Sequence, residues 1–138
     1  MKIAQAIIDE MLAHAREAAP NECCGLLVGD RRAIARSVRA RNKEESPTRF
    51  QIDPDDHFAA IHSARSEGKR VIGAYHSHPK TAALPSPSDI AEASGGSDFV
   101  YLIVSLKSDS GDVFAYHLKH GSVVPIDLSI TPPDAATA

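Results

Sequence analysis

His76 and His78 stand two residues apart, Pro79 follows at once, and Asp89 lies a short way downstream. On an extended strand alternate side chains share a face, so both imidazoles are presented to the same side. Asp89 offers a carboxylate oxygen as a third arm. Two nitrogens and one oxygen suit zinc, and three protein ligands leave a fourth tetrahedral position for water, which separates a catalytic site from a closed structural one. The chemistry such a set performs is hydrolysis.

Local signals place these residues on elements. Val71-Ile72-Gly73-Ala74-Tyr75 is a short run rich in strand formers, and Pro79 stops the ladder just after the second histidine. Lys80 to Pro85 reads as a loop. Ser86-Pro87-Ser88-Asp89 reads as a helix start, with Ser86 as N-cap and Pro87 at the first helical position. Ser86 and Asp89 thus also spell a capping box, which accounts for both residues without a metal. A cap and a bound metal are compatible, so the capping pattern explains the helix and leaves the site open. Other zinc chemistries fit less well: the histidines are not spaced as HExxH, and the His-x-Glu and Pro-Cys-x-x-Cys signatures of nucleobase deaminases are missing.

Glu22 followed by His76-x-His78-Pro79-x6-Ser86-x2-Asp89 resembles the motif of the JAMM (MPN-plus) metalloproteases, with five polar positions agreeing in type and the last four also in spacing. The resemblance runs over roughly residues 1–127, and the Asn42 to Thr48 stretch is similar to that of the small stand-alone bacterial members, including the peptidase that trims a sulfur-carrier protein. It implies one zinc ion per chain held by His76, His78 and Asp89, with Glu22 as general base and Ser86 as the donor to the tetrahedral oxyanion. It further implies a zinc-dependent peptidase or isopeptidase cutting at the C-terminal tail of a ubiquitin-like or sulfur-carrier protein, with a place in sulfur assimilation or cofactor synthesis. Without the resemblance, Glu22 reads as a solvated charge at a strand mouth, because nothing local brings it to the histidines. The alternative within the family is a non-catalytic scaffold module, but such members lack ligands that this chain retains.

The positioning elements follow from periodicity. Ile3, Ile7, Ile8, Met11, Leu12 and Ala15 recur at helical spacing until Pro20, and Glu22 to Gly29 reads as a strand. Ala33 to Arg41 alternates as a second strand, and Arg49 to Ile52 as a short third. Pro54 opens a helix running to Glu67 and Gly68 closes it; Arg70 to His78 is the histidine-bearing strand. A helix from Pro87 to about Ser94 is followed by strands over Phe99 to Ser105, Val113 to Lys119 and Ser122 to Asp127. The predicted architecture is α/β (α+β): one mixed, curved sheet flanked by helices, in a single domain over residues 1–130 with a flexible tail at 131–138.

The composition is that of an ordinary globular domain: 138 residues, 43% hydrophobic and 24% charged, with a net charge of −3 that argues against general nucleic-acid binding. Arg39, Arg41 and Lys43 would share one side of a strand and offer a docking face for an acidic partner. Cys23 and Cys24 are adjacent, too close for an unstrained bridge, and read as buried thiols. His14, His57, His62, His117 and His120 read as surface residues. The N-terminal stretch lacks the pattern of a signal peptide and no segment approaches membrane-spanning length, so a cytoplasmic protein with no membrane partner is expected.

Overall fold

The computed structural model describes residues 1–133. Eight strands form one sheet: β1 (Lys2–Ala4), β2 (Cys24–Gly29), β3 (Ala33–Ala40), β4 (Arg70–His78), β5 (Val100–Ser105), β6 (Asp112–Lys119), β7 (Ser122–Ile126) and β8 (Ser129–Thr131). The helices are α1 (Gln5–Ala18), α2 (Pro54–Ser66) and α3 (Pro87–Glu92). The strand order is β7-β6-β5-β4-β2-β3-β1-β8. Both β2 neighbours are antiparallel to it, β4 and β5 run parallel, and β1 lies parallel to both β3 and β8. The sheet is therefore mixed, as the alternation of strands and helices predicts.

Alternation along the central strands divides the core. Leu27, Tyr75, Leu102 and Val104 point to one side and bury Ile8, Met11, Leu12 and Ala15 of α1. Leu26 and Ala74 point the other way onto Ala60 of α2, while Ile103, Tyr116 and Leu118 take Ile90 and Ala93 at α3. Every residue of β2 is buried, as expected of a central strand covered on both faces. Gly25 lies opposite Tyr75, and a Cβ there would collide with the Tyr75 ring, so the close approach of these strands requires glycine.

Four expectations are corrected. The first helix begins at Gln5, because Ile3 is drawn into β1 between Ile34 and Ile130; one apolar residue satisfies either period. Arg49 to Ile52 is not a strand: only Ile52 bridges, to Asn42, and the Arg49 carbonyl and Gln51 amide bond the Asn42 side chain instead. The third helix ends at Glu92 rather than near Ser94. Thr131, assigned to the tail, pairs with Ala4 as the last residue of β8, and residues 134–138 of that tail lie outside the described residues.

Candidate metal centre

β4 carries His76 and His78 to its C-terminal end on one face, and α3 brings Asp89 to meet them. α2 and α3 both pack on that face of the sheet. The three donor atoms form a nearly equilateral triangle. His76 Nε2 lies 3.2 Å from His78 Nε2 and 3.1 Å from Asp89 Oδ2, and His78 Nε2 lies 3.2 Å from the same oxygen. A zinc tetrahedron with bonds near 2.0 Å has edges of about 3.3 Å. With His78 neutral, hydrogen bonds alone do not satisfy this triangle. His78 Nδ1 is 2.8 Å from the Ala82 carbonyl, so the neutral ring carries its proton there and turns a lone pair toward Asp89. Three acceptor atoms then share at most one proton, from His76, and a cation is what this donor set fits.

The capping pattern and the ligand pattern coexist. Ser86 Oγ accepts the Asp89 amide at 3.1 Å, and Asp89 Oδ2 accepts the Ser86 amide at 2.9 Å. Burial works against the Asp89 charge, yet the two imidazoles and that amide hold its carboxyl far below the usual carboxylate range. Burial lowers His76 below the ordinary imidazole value. For His78 burial acts in the same direction and is outweighed by Asp89 and the Ala82 carbonyl, which raise it.

Glu22 reaches the site through strand register. Cys24 pairs with His76, and Ser77 donates to the Cys23 carbonyl at 3.0 Å, so the next step of the ladder sets Glu22 beside His78 on the same face. The residue is 5% exposed, and burial pushes its carboxyl up to about 8, opposed by His78 and reinforced by Asp89. Glu22 Oε1 is the buried side-chain polar atom that lacks a hydrogen-bond partner among the described residues. Such an atom costs free energy unless something completes it.

A cleft of about 640 Å³ opens from this centre. His76 and Asp89 line it together with Leu26, Ala74, Tyr101, Ile103 and Leu118, so much of its wall is apolar. Phe50 also lines it and stacks on His76, ring centroids 4.3 Å apart and planes at 15°. Sequence reasoning missed Phe50, which it read only as part of a short strand over Arg49 to Ile52.

The family model for prokaryotic homologs of the JAB domain matches residues 4–119. The chain belongs to this family. The chain is 37% identical over 106 residues to a desampylase of Haloferax volcanii, covering 70% of this chain and 74% of the relative. A CysO-cysteine peptidase of Mycobacterium tuberculosis is 29% identical over 127 residues, covering 90% and 86%. The solution structure of a Desulfitobacterium hafniense protein superposes with a TM-score of 0.87 at 34% identity, covering 96% and 94%. The curled, mixed eight-stranded sheet with three helices is the fold of JAB/MPN proteins.

Other candidate residues of the sequence fall elsewhere. Arg39 pairs with Glu10 at 2.8 Å and Glu17 at 2.7 Å, and Arg41 with Asp53 at 3.4 Å and Asp56 at 3.5 Å. These ion pairs lie at the surface, and the Arg41 side chain stays 73% exposed. His14 is half-buried, its Nδ1 2.7 Å from the Tyr75 hydroxyl, rather than a plain surface residue. His57 joins the wall of the cleft. Cys23 and Cys24 are free and buried, and burial pushes their thiols up to about 11 and about 12. No helix among the described residues is long and apolar enough to cross a membrane.

Proposed function

We propose that this protein is a zinc-dependent peptidase or isopeptidase that hydrolyses an amide bond at the C-terminal tail of a ubiquitin-like or sulfur-carrier protein. The observation that carries the reading is a zinc-sized donor triangle beside a buried glutamate oxygen with no hydrogen-bond partner among the described residues. The names of two relatives, desampylase and CysO-cysteine peptidase, supply the substrate class.

His76, His78 and Asp89 would hold the metal, which when bound would supply Lewis acidity toward the scissile carbonyl and lower the pKa of a water to about 7. Glu22, whose raised value suits a base working near neutrality, takes the proton of the attacking water at its carboxylate and delivers it to the nitrogen of the leaving amine. Ser86 Oγ accepts the Asp89 amide and lies 3.1 Å from Ser88 Oγ; with Ser88 as the donor of that pair, the Ser86 hydrogen is left to donate to the carbonyl oxygen as that oxygen gains charge. The Ala82 carbonyl and the Phe50 ring fix the two imidazoles. The cleft takes an extended tail, its apolar wall excluding water from the reacting bond.

The test is intact-mass analysis of a ubiquitin-like carrier bearing one extra C-terminal cysteine, and of the same carrier amide-linked to a lysine, each incubated with zinc-loaded wild type or Glu22→Gln. Wild type should release cysteine or lysine and the variant should not. Failure to cleave either substrate would sink the reading.

A further inference from the structure

The Asn42 side chain has no part in the chemistry above, yet both its amide groups are fully used. Its Oδ1 accepts the Glu44 amide at 3.0 Å and the Gln51 amide at 2.9 Å; its Nδ2 donates to the Glu22 carbonyl at 3.0 Å and the Arg49 carbonyl at 3.1 Å. Two donors on one side and two carbonyls on the other allow only one orientation of the amide. The bonds to Arg49 and Gln51 fall on the two peptide groups that flank Phe50, the residue stacked on His76. The bond to Glu22 has a counterpart, because the Glu22 amide donates to the Ser46 carbonyl at 2.8 Å. Both backbone polar groups of Glu22 are thus held by the loop that Asn42 shapes.

From these contacts we infer that Asn42 is a positioning residue for the proposed hydrolysis: one side chain sets the backbone of the base and the aromatic backing of a metal ligand in fixed relation. The inference rests on the reading of Glu22 as base and of His76 as ligand. Asn42 touches neither the reacting atoms nor the metal ligands, and acts through Glu22 and Phe50.

Two variants divide its work. Asn42→Asp keeps the two accepted bonds to Glu44 and Gln51 and loses the two donated ones, turning a carboxylate oxygen toward the Glu22 and Arg49 carbonyls and releasing both; Asn42→Ala loses all four. In zinc-loaded enzyme, Asn42→Asp should lower kcat about tenfold to a hundredfold with KM changed less than about threefold. In a Glu22→Gln background the same substitution should lower residual kcat by a clearly smaller factor than in wild type, since the part of its effect that passes through the Glu22 carboxylate is already removed. A merely structural role would cost the same factor in both backgrounds, and that result, or wild-type kcat in Asn42→Asp, overturns the inference. A readout free of activity separates this from the proposed function. The Gln51 amide should exchange at least about tenfold faster in Asn42→Ala but not in Asn42→Asp, and the competition of Asn42→Ala with a chelator for zinc should weaken several-fold. If wild type cleaves nothing while these two shifts occur, the proposed function fails and takes with it the part of the inference that concerns Glu22 as base, while the positioning of Phe50 against a metal ligand stands; unchanged exchange and zinc retention in Asn42→Ala overturn the inference whatever the activity.

Discussion

Cys23 and Ser77 are locked to each other twice: the Cys23 amide donates to Ser77 Oγ at 2.8 Å, and the Ser77 amide donates to the Cys23 carbonyl at 3.0 Å. Ser77 lies between the two histidines and Cys23 follows the glutamate, so this pair fixes how far β2 stands along β4. Ser77 is fully buried, and the Cys23 amide loses its acceptor once the hydroxyl is gone. Ser77→Ala should therefore cost about 1–3 kcal/mol in urea unfolding of zinc-loaded protein. It should also slow turnover while the zinc stays bound, because the register of Glu22 against His78 loosens. Wild-type stability in this variant would show that the lock holds nothing.

Ligands and base should separate cleanly by metal content. His76→Ala and Asp89→Asn each remove one corner of the donor triangle and should leave protein that elemental analysis finds largely free of zinc after dialysis. Glu22→Gln keeps the three donors and should hold zinc stoichiometrically while losing at least about a hundredfold in kcat. Zinc lost from Glu22→Gln and retained by His76→Ala would reverse the assignment.

In metal-free protein, Glu22 should make stability depend on pH. Its value in the folded chain, about 8, lies above its ordinary 4.5, so between these limits the folded state keeps a proton that the unfolded state has released. The stabilising contribution is complete below about pH 4.5 and is lost as pH rises through 8, on the order of a few kcal/mol. Urea unfolding in chelator should show wild type losing stability from pH 5 to 9 relative to Glu22→Gln, whose amide does not titrate. Parallel curves for the two proteins would mean that the carboxyl is not held neutral by burial. Zinc loading should flatten the difference, because a nearby cation favours the carboxylate.

What the sequence reveals of this site follows the range of its interactions. His76 and His78 are legible because strand alternation is local, and β4 spans Arg70 to His78 as the apolar run predicts. Asp89 is legible through the capping box that seats it. Glu22 is not, since its place depends on pairing between strands about fifty residues apart, and only resemblance supplied it. Phe50 and Ile52 alternate like a strand, but the backbone groups around Phe50 are satisfied by the Asn42 side chain, and periodicity carries no record of who accepts a hydrogen bond. β1 and β8, three residues each, are too short for any period to show.

Ser86 does two jobs that one substitution confounds, and a second substitution resolves them. As N-cap it accepts the Asp89 amide, and as the proposed oxyanion donor it offers its hydrogen to substrate. Ser86→Ala loses both: about 1 kcal/mol of stability for the cap and about a hundredfold or more in kcat for the donor. The reciprocal bond from the residue 86 amide to Asp89 Oδ2 survives in alanine, so the ligand oxygen stays seated and zinc should remain. Ser86→Thr keeps an acceptor and a donor at the same position and should recover most of both losses. A variant with the stability of Ser86→Ala but the turnover of wild type would leave the hydroxyl as a cap alone, and the tetrahedral oxygen would need another donor.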